Sequence, residues 1–145
     1  MKERINIREI DPEGYNPLVE LEKHIAKTGL DRKLYHLIKT RASQINGCHY
    51  CINMHTRDAM KDGETAQRLF LLDAWRETEL YSEKERAVLA LTEEMTLIAD
   101  HHVSDKVYNE AAKQLSEKEI AAVIWAIIAI NSWNRLAIAT VQPLD

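Results

Sequence analysis

The sequence predicts an all-α fold in a single domain. Three observations carry that prediction. Glycine (4) and proline (3) are scarce among 145 residues, which disfavours a turn-rich β architecture. From Pro17 onward apolar residues recur at spacings of three and four, the helical period. After position 15 no run alternates apolar and polar residues as a half-buried strand does. A chain of this length can bury its own core and needs no second domain.

About seven helices follow from the pattern of apolar residues, caps and stops. Residues 1–15 carry Ile5, Ile7 and Ile10 and then Asp11-Pro12-Glu13-Gly14, which reads as an extended N-terminal arm ending in a turn. Such an arm often packs on a neighbouring subunit. The helical domain spans 16–145. Its first helix runs from Pro17, with Leu18, Leu21 and Ile25 inward, to Gly29 as a C-cap. Asp31 caps the second, with Leu34, Leu37, Ile38, Ala42 and Ile45 along one side, and Asn46-Gly47 ends it. The third begins near Cys48 and runs to Lys61, with Gly63 as a stop. The fourth covers Glu64 to about Trp75, with Leu69, Leu72 and Trp75 inward. Ser82-Glu83-Lys84-Glu85 matches a capping box and opens a helix to about Ala99. Val103-Ser104-Asp105 starts the next. Ser116-Glu117-Lys118-Glu119 is a second capping box, and the helix it opens is apolar nearly all round from Ile120 to Ile130. A helix of that kind belongs at the centre of a bundle or at a subunit interface.

The net charge of −4 offers no basic patch, so no nucleic-acid partner is expected. Residues 1–10 lack the apolar stretch of an export signal. The longest apolar run is eleven residues. A membrane span needs roughly 18–20, so no membrane association is expected either. The cytoplasm is the default compartment. There a Cys-x-x-Cys pair is a catalytic or metal-binding device more often than a structural staple.

The chain holds two cysteines, Cys48 and Cys51, in Asn46-Gly47-Cys48-His49-Tyr50-Cys51-Ile52-Asn53-Met54-His55. On a helix, residues three apart share a face, so the two thiols project together and can close a small disulfide loop. At a helix start, free N–H groups and the partial positive charge favour thiolate over thiol. His55, four residues past Cys51, is within reach to take its proton or support its thiolate. Other readings of the pair compete. Covalent haem attachment needs a histidine directly after the second cysteine, where Ile52 stands. A thioredoxin fold needs a βαβ pattern that is absent. Structural zinc needs four ligands: Cys48, Cys51 and His55 give three, and His36 or His49 would have to be the fourth. Two buried cysteines acting as small hydrophobes is the plainest alternative. His101-His102 read as loop or capping residues, His24 as a solvated position, and Asn131, Asn134 and Arg135 as a structural polar network. Trp75, Trp125 and Trp133 read as core or interface anchors.

The stretch from Arg41 to Thr56 closely resembles the core motif of AhpD-like proteins, within the carboxymuconolactone decarboxylase superfamily. The similarity extends to Leu30–Leu34, Trp75-Arg76, Tyr81–Ala87 and Ile130–Leu136. It implies an all-α fold assembled as a homo-oligomer, a trimer or hexamer. It implies a thiol peroxidase with disulfide reductase activity, acting on a peroxide substrate without metal or organic cofactor. A dithiol partner, such as a lipoyl group on a carrier protein, would reduce the pair again. The resemblance makes Cys48 and Cys51 the redox pair and His55 the relay histidine, with Cys51 attacking and Cys48 resolving. Two positions depart from the peroxidase pattern. His36 stands where a glutamate is expected, twelve residues before Cys48, and Tyr50 stands where a histidine is expected. His36 can shuttle protons but brings no negative charge, so Glu93 or Glu94 is considered as a substitute carboxylate. A decarboxylase-like lyase, and a non-enzymatic zinc-binding or redox-sensing protein, are the alternative functions.

Overall fold

The computed structural model describes residues 2–144. Its helices are α1 (Ile7–Ile10), α2 (Pro12–Lys27), α3 (Arg32–Asn46), α4 (His49–Lys61), α5 (Ala66–Phe70), α6 (Glu83–Thr96), α7 (Ile98–His101), α8 (Asp105–Gln114) and α9 (Glu117–Thr140), with a 3₁₀ segment at Leu72–Glu77. No strand occurs among the described residues.

The organising element is α3, which packs against α4, α6 and α9. Asp31 opens it by accepting the Leu34 amide at 2.9 Å, and its middle, from His36 to Thr40, is buried on every side. The main core joins Ile25 of α2, Leu34 and Ile38 of α3, Val88 and Leu91 of α6, Leu115, and Val123 and Ile127 of α9. A second cluster gathers Leu37, Leu72, Trp75, Tyr81 and Leu89. A third holds Ala42, Cys48, Cys51, Ile130 and Ala137, with Tyr50 and Trp133 packed against it.

Several boundaries differ from expectation, each for a local reason. The arm is extended only up to Asn6. Asn6 caps the short α1, and Asp11 caps α2 by accepting the Gly14 amide at 3.0 Å. Asp11-Pro12 is therefore a cap followed by proline in the first turn, where its missing N–H costs nothing. A Cβ at position 14 would collide with the capping carboxylate. The arm also packs on its own chain, since the Arg4 amide donates to the Thr140 carbonyl at 2.8 Å. The expected Glu64–Trp75 helix is two pieces. Thr65 caps α5, and the backbone then tightens into the 3₁₀ segment. With three residues per turn, that segment turns Leu72 and Trp75 into the core together. The helix expected to reach Ala99 breaks at Leu97, and Ile98 beyond the break is 50% exposed. Both capping boxes, at Ser82 and Ser116, are formed.

By length and composition α9 could cross a membrane, and half of its most apolar window is packed inside the bundle. Val123, Ala126, Ile127 and Ile130 face inward, while Trp125 and Ile128 are 44% and 39% exposed on the opposite side.

Candidate functional site

The site is built at the junction of α3 and α4. Gly47 ends α3 in the left-handed conformation, with φ at 67°. Its amide and that of Cys48 fold back onto the carbonyls of Gln44 and Ser43, the Schellman arrangement that glycine permits without strain. Two residues, Gly47 and Cys48, thus separate the two helices, and Cys48 becomes the N-cap of α4. Its Sγ accepts the Cys51 amide at 3.3 Å, doing with sulfur what serine or aspartate oxygens do at most helix starts. Cys51 follows in the first turn and His55 one turn later. Cys48, Cys51 and His55 are all buried, at 1%, 2% and 6% exposure. Both thiols are free.

Polar side chains from α9 close the cluster. Asn134 is fully buried and donates to Ser43 Oγ at 3.0 Å. It also accepts from Asn46 and reaches both sulfurs with its amide. The network read from Asn131, Asn134 and Arg135 exists: Asn46 bonds both asparagines, and Arg135 bonds Asn131. Its Asn134 member also serves the thiols.

The two sulfurs are electrostatically unlike. The Cys51 S–H donates to Cys48, which with the amides of Cys51 and Tyr50 lowers the Cys48 pKa to about 7. The same S–H bond, and then burial, push the Cys51 thiol far up. Above about pH 7 the pair therefore holds one proton and one negative charge, with the charge favoured at Cys48. His55 is driven down to about 3 by burial and then by the charges of Lys39 and His36, so it is a neutral imidazole at pH 7. It is therefore not a cation beside a thiolate. Among the described residues no hydrogen bond joins His55 to either sulfur.

A cavity of about 270 Å³ opens onto Cys51 and His55. Glu22 and Tyr15 of α2, Tyr35 of α3, Tyr50 and Met54 of α4 and Trp133 of α9 are among the residues that line it. Cys48 does not line it. The accessible sulfur is therefore Cys51, while the more acidic one lies behind it.

His36 is brought near this site but not into it. It is 1% exposed, its Nε2 is 2.6 Å from Asp62 Oδ2 at the C-cap of α4, and it does not line the cavity. Its carboxylate partner is thus Asp62. Glu93 and Glu94 lie elsewhere and are not solvated charges. Glu93 accepts from Arg41 Nε at 2.8 Å and Trp75 Nε1 at 2.9 Å, and Glu94 holds the Ser104 amide at 2.7 Å. The carboxylate that does line the cavity is Glu22, which accepts from Tyr35 OH and Trp133 Nε1, each at 3.0 Å, and pairs with the fully buried Lys39. Sequence reasoning missed both. Glu22 had a signal, since it lies four residues after Leu18 and three before Ile25, on the inward face of its helix. Lys39 had none, because a helix buried all round carries no polar stripe to be out of step with.

Among the described residues no group of three or more histidine, cysteine, aspartate or glutamate side chains is arranged to hold a metal ion. His49 is exposed and does not join the cysteines.

Residues 12–94 match the family model of the carboxymuconolactone decarboxylase family. The chain is 42% identical over 139 residues to the uncharacterised Bacillus subtilis protein YdfG, covering 96% of this chain and 95% of that one. A shorter match, 35% over 46 residues, is to the alkyl hydroperoxide reductase AhpD of Corynebacterium aurimucosum, covering 32% of this chain and 26% of that protein. Among solved structures, a protein of unknown function from Agrobacterium tumefaciens, described in terms of antioxidant defence and AhpD, superposes with a TM-score of 0.96 at 37% identity, covering 99% of both chains. On these matches the chain belongs to the carboxymuconolactone decarboxylase family, as an AhpD-like member of it.

Proposed function

We propose that this protein is a thiol peroxidase and disulfide oxidoreductase in which Cys51 attacks, Cys48 resolves and His55 handles protons. The observation that carries the reading is the division of labour between the sulfurs. One negative charge is shared by the pair, and the sulfur at the cavity is the one that receives a substrate. Moving the Cys51 proton onto Cys48 places the charge on Cys51. The Cys51 thiolate then gives its electron pair to the terminal oxygen of a hydroperoxide. The O–O bond breaks, Cys51 becomes a sulfenic acid, and the alkoxide takes the proton from Cys48 and leaves as an alcohol. The Cys48 thiolate attacks the sulfenic sulfur, forms the disulfide and expels hydroxide. One proton taken up from solvent through His55 completes water. The sulfurs lose two electrons and the peroxide gains them. A dithiol partner, of which a lipoyl group is one kind, returns the pair to the reduced state. No step calls for a metal or an organic cofactor.

The family resemblance also supports a homo-oligomer. The outer face of α9, with Trp125 and Ile128 exposed, is the surface we assign to contact between copies.

The test is a thiol titration of reduced protein before and after one equivalent of an organic hydroperoxide. Loss of two thiols per chain, restored by a small dithiol and absent in both Cys48→Ser and Cys51→Ser, is expected. An unchanged titre would overturn the reading.

A further inference from the structure

Lys39 lies in the middle of α3 with 0% exposure. A lone ammonium there would be costly, so it must be paired. Its partner is Glu22, from α2. Glu22 in turn collects the Tyr35 hydroxyl and the Trp133 indole N–H. Side chains of two helices, α3 and α9, thus converge on one carboxylate of α2. The partners share a second property. Glu22, Tyr35 and Trp133 all line the cavity that exposes Cys51 and His55. The ammonium does not line it. It sits behind that wall, with Nζ 4.9 Å from the centre of the Tyr35 ring, and acts on Cys51 by charge. Burial disfavours the Lys39 ammonium, while Glu22 and then Cys51 favour it. Lys39 reciprocally favours a thiolate at Cys51.

We propose that Lys39 and Glu22 are positioning residues of the thiol pair: Lys39 is the fixed counter-charge that stabilises the negative charge on Cys51 once the Cys51 proton has moved to Cys48, and Glu22 holds the ammonium in place. The meaning of this for turnover rests on the peroxidase reading above. The counter-charge itself is in place in the reduced protein before any peroxide arrives.

The need for such a device follows from the geometry. The amide at the α4 start and the Cys51 S–H hold the charge on Cys48, which has no access to the cavity. Attack requires the charge one helical turn further on. The groups that act there are few. Glu22 comes from α2. Cys51 and His55 come from α4, with Asp58 further out. Tyr35 lies on α3 itself, with Arg32 and His36 behind it, and α9 contributes the uncharged Trp133 and Asn134. His55 is neutral, so Lys39 is the cation closest in effect to Cys51. In the step it serves, the Cys51 thiolate forms the S–O bond, the O–O bond breaks, and the alkoxide takes its proton from Cys48. Lys39 gives and takes no proton.

The test uses a Cys48→Ser background, in which Cys51 is the remaining thiol, and reads the pH dependence of its alkylation by iodoacetamide. No peroxide is present, so failure here is distinguishable from failure of the peroxidase reading. Adding Glu22→Gln and Lys39→Met together removes both charges while leaving neither partner bare. The alkylation inflection should rise by about one pH unit or more, the usual effect of losing an adjacent opposite charge. Adding Glu22→Gln alone leaves the ammonium with the thiolate as its only close anion, and the inflection should fall. Opposite shifts are what a purely structural role would not produce, since loosened packing moves both variants the same way. Equal inflections, or shifts of the same sign, overturn the proposal. If the doubly charge-stripped variant fails to fold, the sign of the Glu22→Gln shift decides alone: a fall supports the assignment, and no change or a rise overturns it.

Discussion

A thiolate that serves as a helix cap must make the fold itself pH-sensitive, and the magnitude can be worked out. The Cys48 thiol is lowered from 9.0 to about 7 by the Cys51 S–H and by helix-end amides. Unfolding releases those donors and returns the thiol to its ordinary value. Below pH 7 the group is protonated in both states and contributes nothing. Between about 7 and 9 the folded chain holds a thiolate where the unfolded chain holds a thiol, so stability rises with pH by about 1.36 kcal/mol per unit. From pH 6 to 8.5 the gain is therefore about 2 kcal/mol. Cys51 works in the opposite sense. Its folded pKa is raised by donating to Cys48 and by burial, so its contribution is present below 9 and is lost as pH rises beyond it. The window between 7 and 9 thus isolates Cys48. Urea unfolding of the reduced protein at pH 6 and pH 8.5, compared with Cys48→Ser, measures it. Serine preserves the cap and does not titrate in this range. The stability difference between the two proteins should shift by about 2 kcal/mol in favour of wild type at the higher pH. A difference that stays constant would mean that Cys48 does not carry the charge.

Three further outcomes are expected. Gly47→Ala forces an L-residue to φ 67° with nothing within 4 Å of the new Cβ. Its cost is therefore purely conformational, about 1–2 kcal/mol, and should appear in thermal melts as a fall of roughly 3–6 °C. An unchanged melting temperature would show that the junction does not need the left-handed turn. His55→Ala should leave the pH profile of thiol alkylation in place, because the imidazole is neutral throughout that range. It should slow peroxide-driven disulfide formation by about a hundredfold or more, as loss of a general acid–base does. A displaced alkylation profile would restore a charged role for His55. Replacing Trp125 and Ile128 of α9 with glutamate should convert the assembly to monomers in light scattering while leaving helicity intact. A wild-type protein that is already monomeric would remove that interface.

The helices were legible in the sequence wherever a local device marks them. Ser82 and Ser116 announce their helices because a capping box is made by residues three apart. Gly47 announces the end of α3 because few other residues hold that turn. The errors fall where tertiary contacts decide. Nothing within residues 64–77 says that the chain tightens into a 3₁₀ segment, because the reason lies in the pocket that Leu72 and Trp75 must fill. Asp11-Pro12 carries equal marks of a turn and of a helix start, and packing of α2 against α9 settles it. At the site, Cys48, Cys51 and His55 were legible because they lie on one helix at helical spacings. Tyr35, Glu22, Lys39 and Asn134 join them from three other helices, and no local pattern could have placed them there. His36 illustrates the same limit. The family resemblance assigned it to the proton relay of the cysteines, and the α3 geometry aims its Nε2 at Asp62, at the far end of α4.

That geometry is also what the proposed dithiol chemistry would rest on in an all-α fold, which has no strand-to-helix turn at its Cys-x-x-Cys pair. Lowering a thiol pKa requires donors that cannot move away. Here the donors belong to the backbone of α4, and the two-residue link Gly47-Cys48 fixes α4 to the most buried helix of the bundle. The cap cannot fray without disturbing α3. Asn134, itself fully buried and tied to Ser43 and Asn46, braces the sulfurs from the opposite side. The backbone donors at the start of α4 all favour Cys48, so a pair held this rigidly keeps its charge there. Reactivity at the cavity then depends on an opposing charge supplied from outside the motif, and the Glu22–Lys39 pair is placed to supply it.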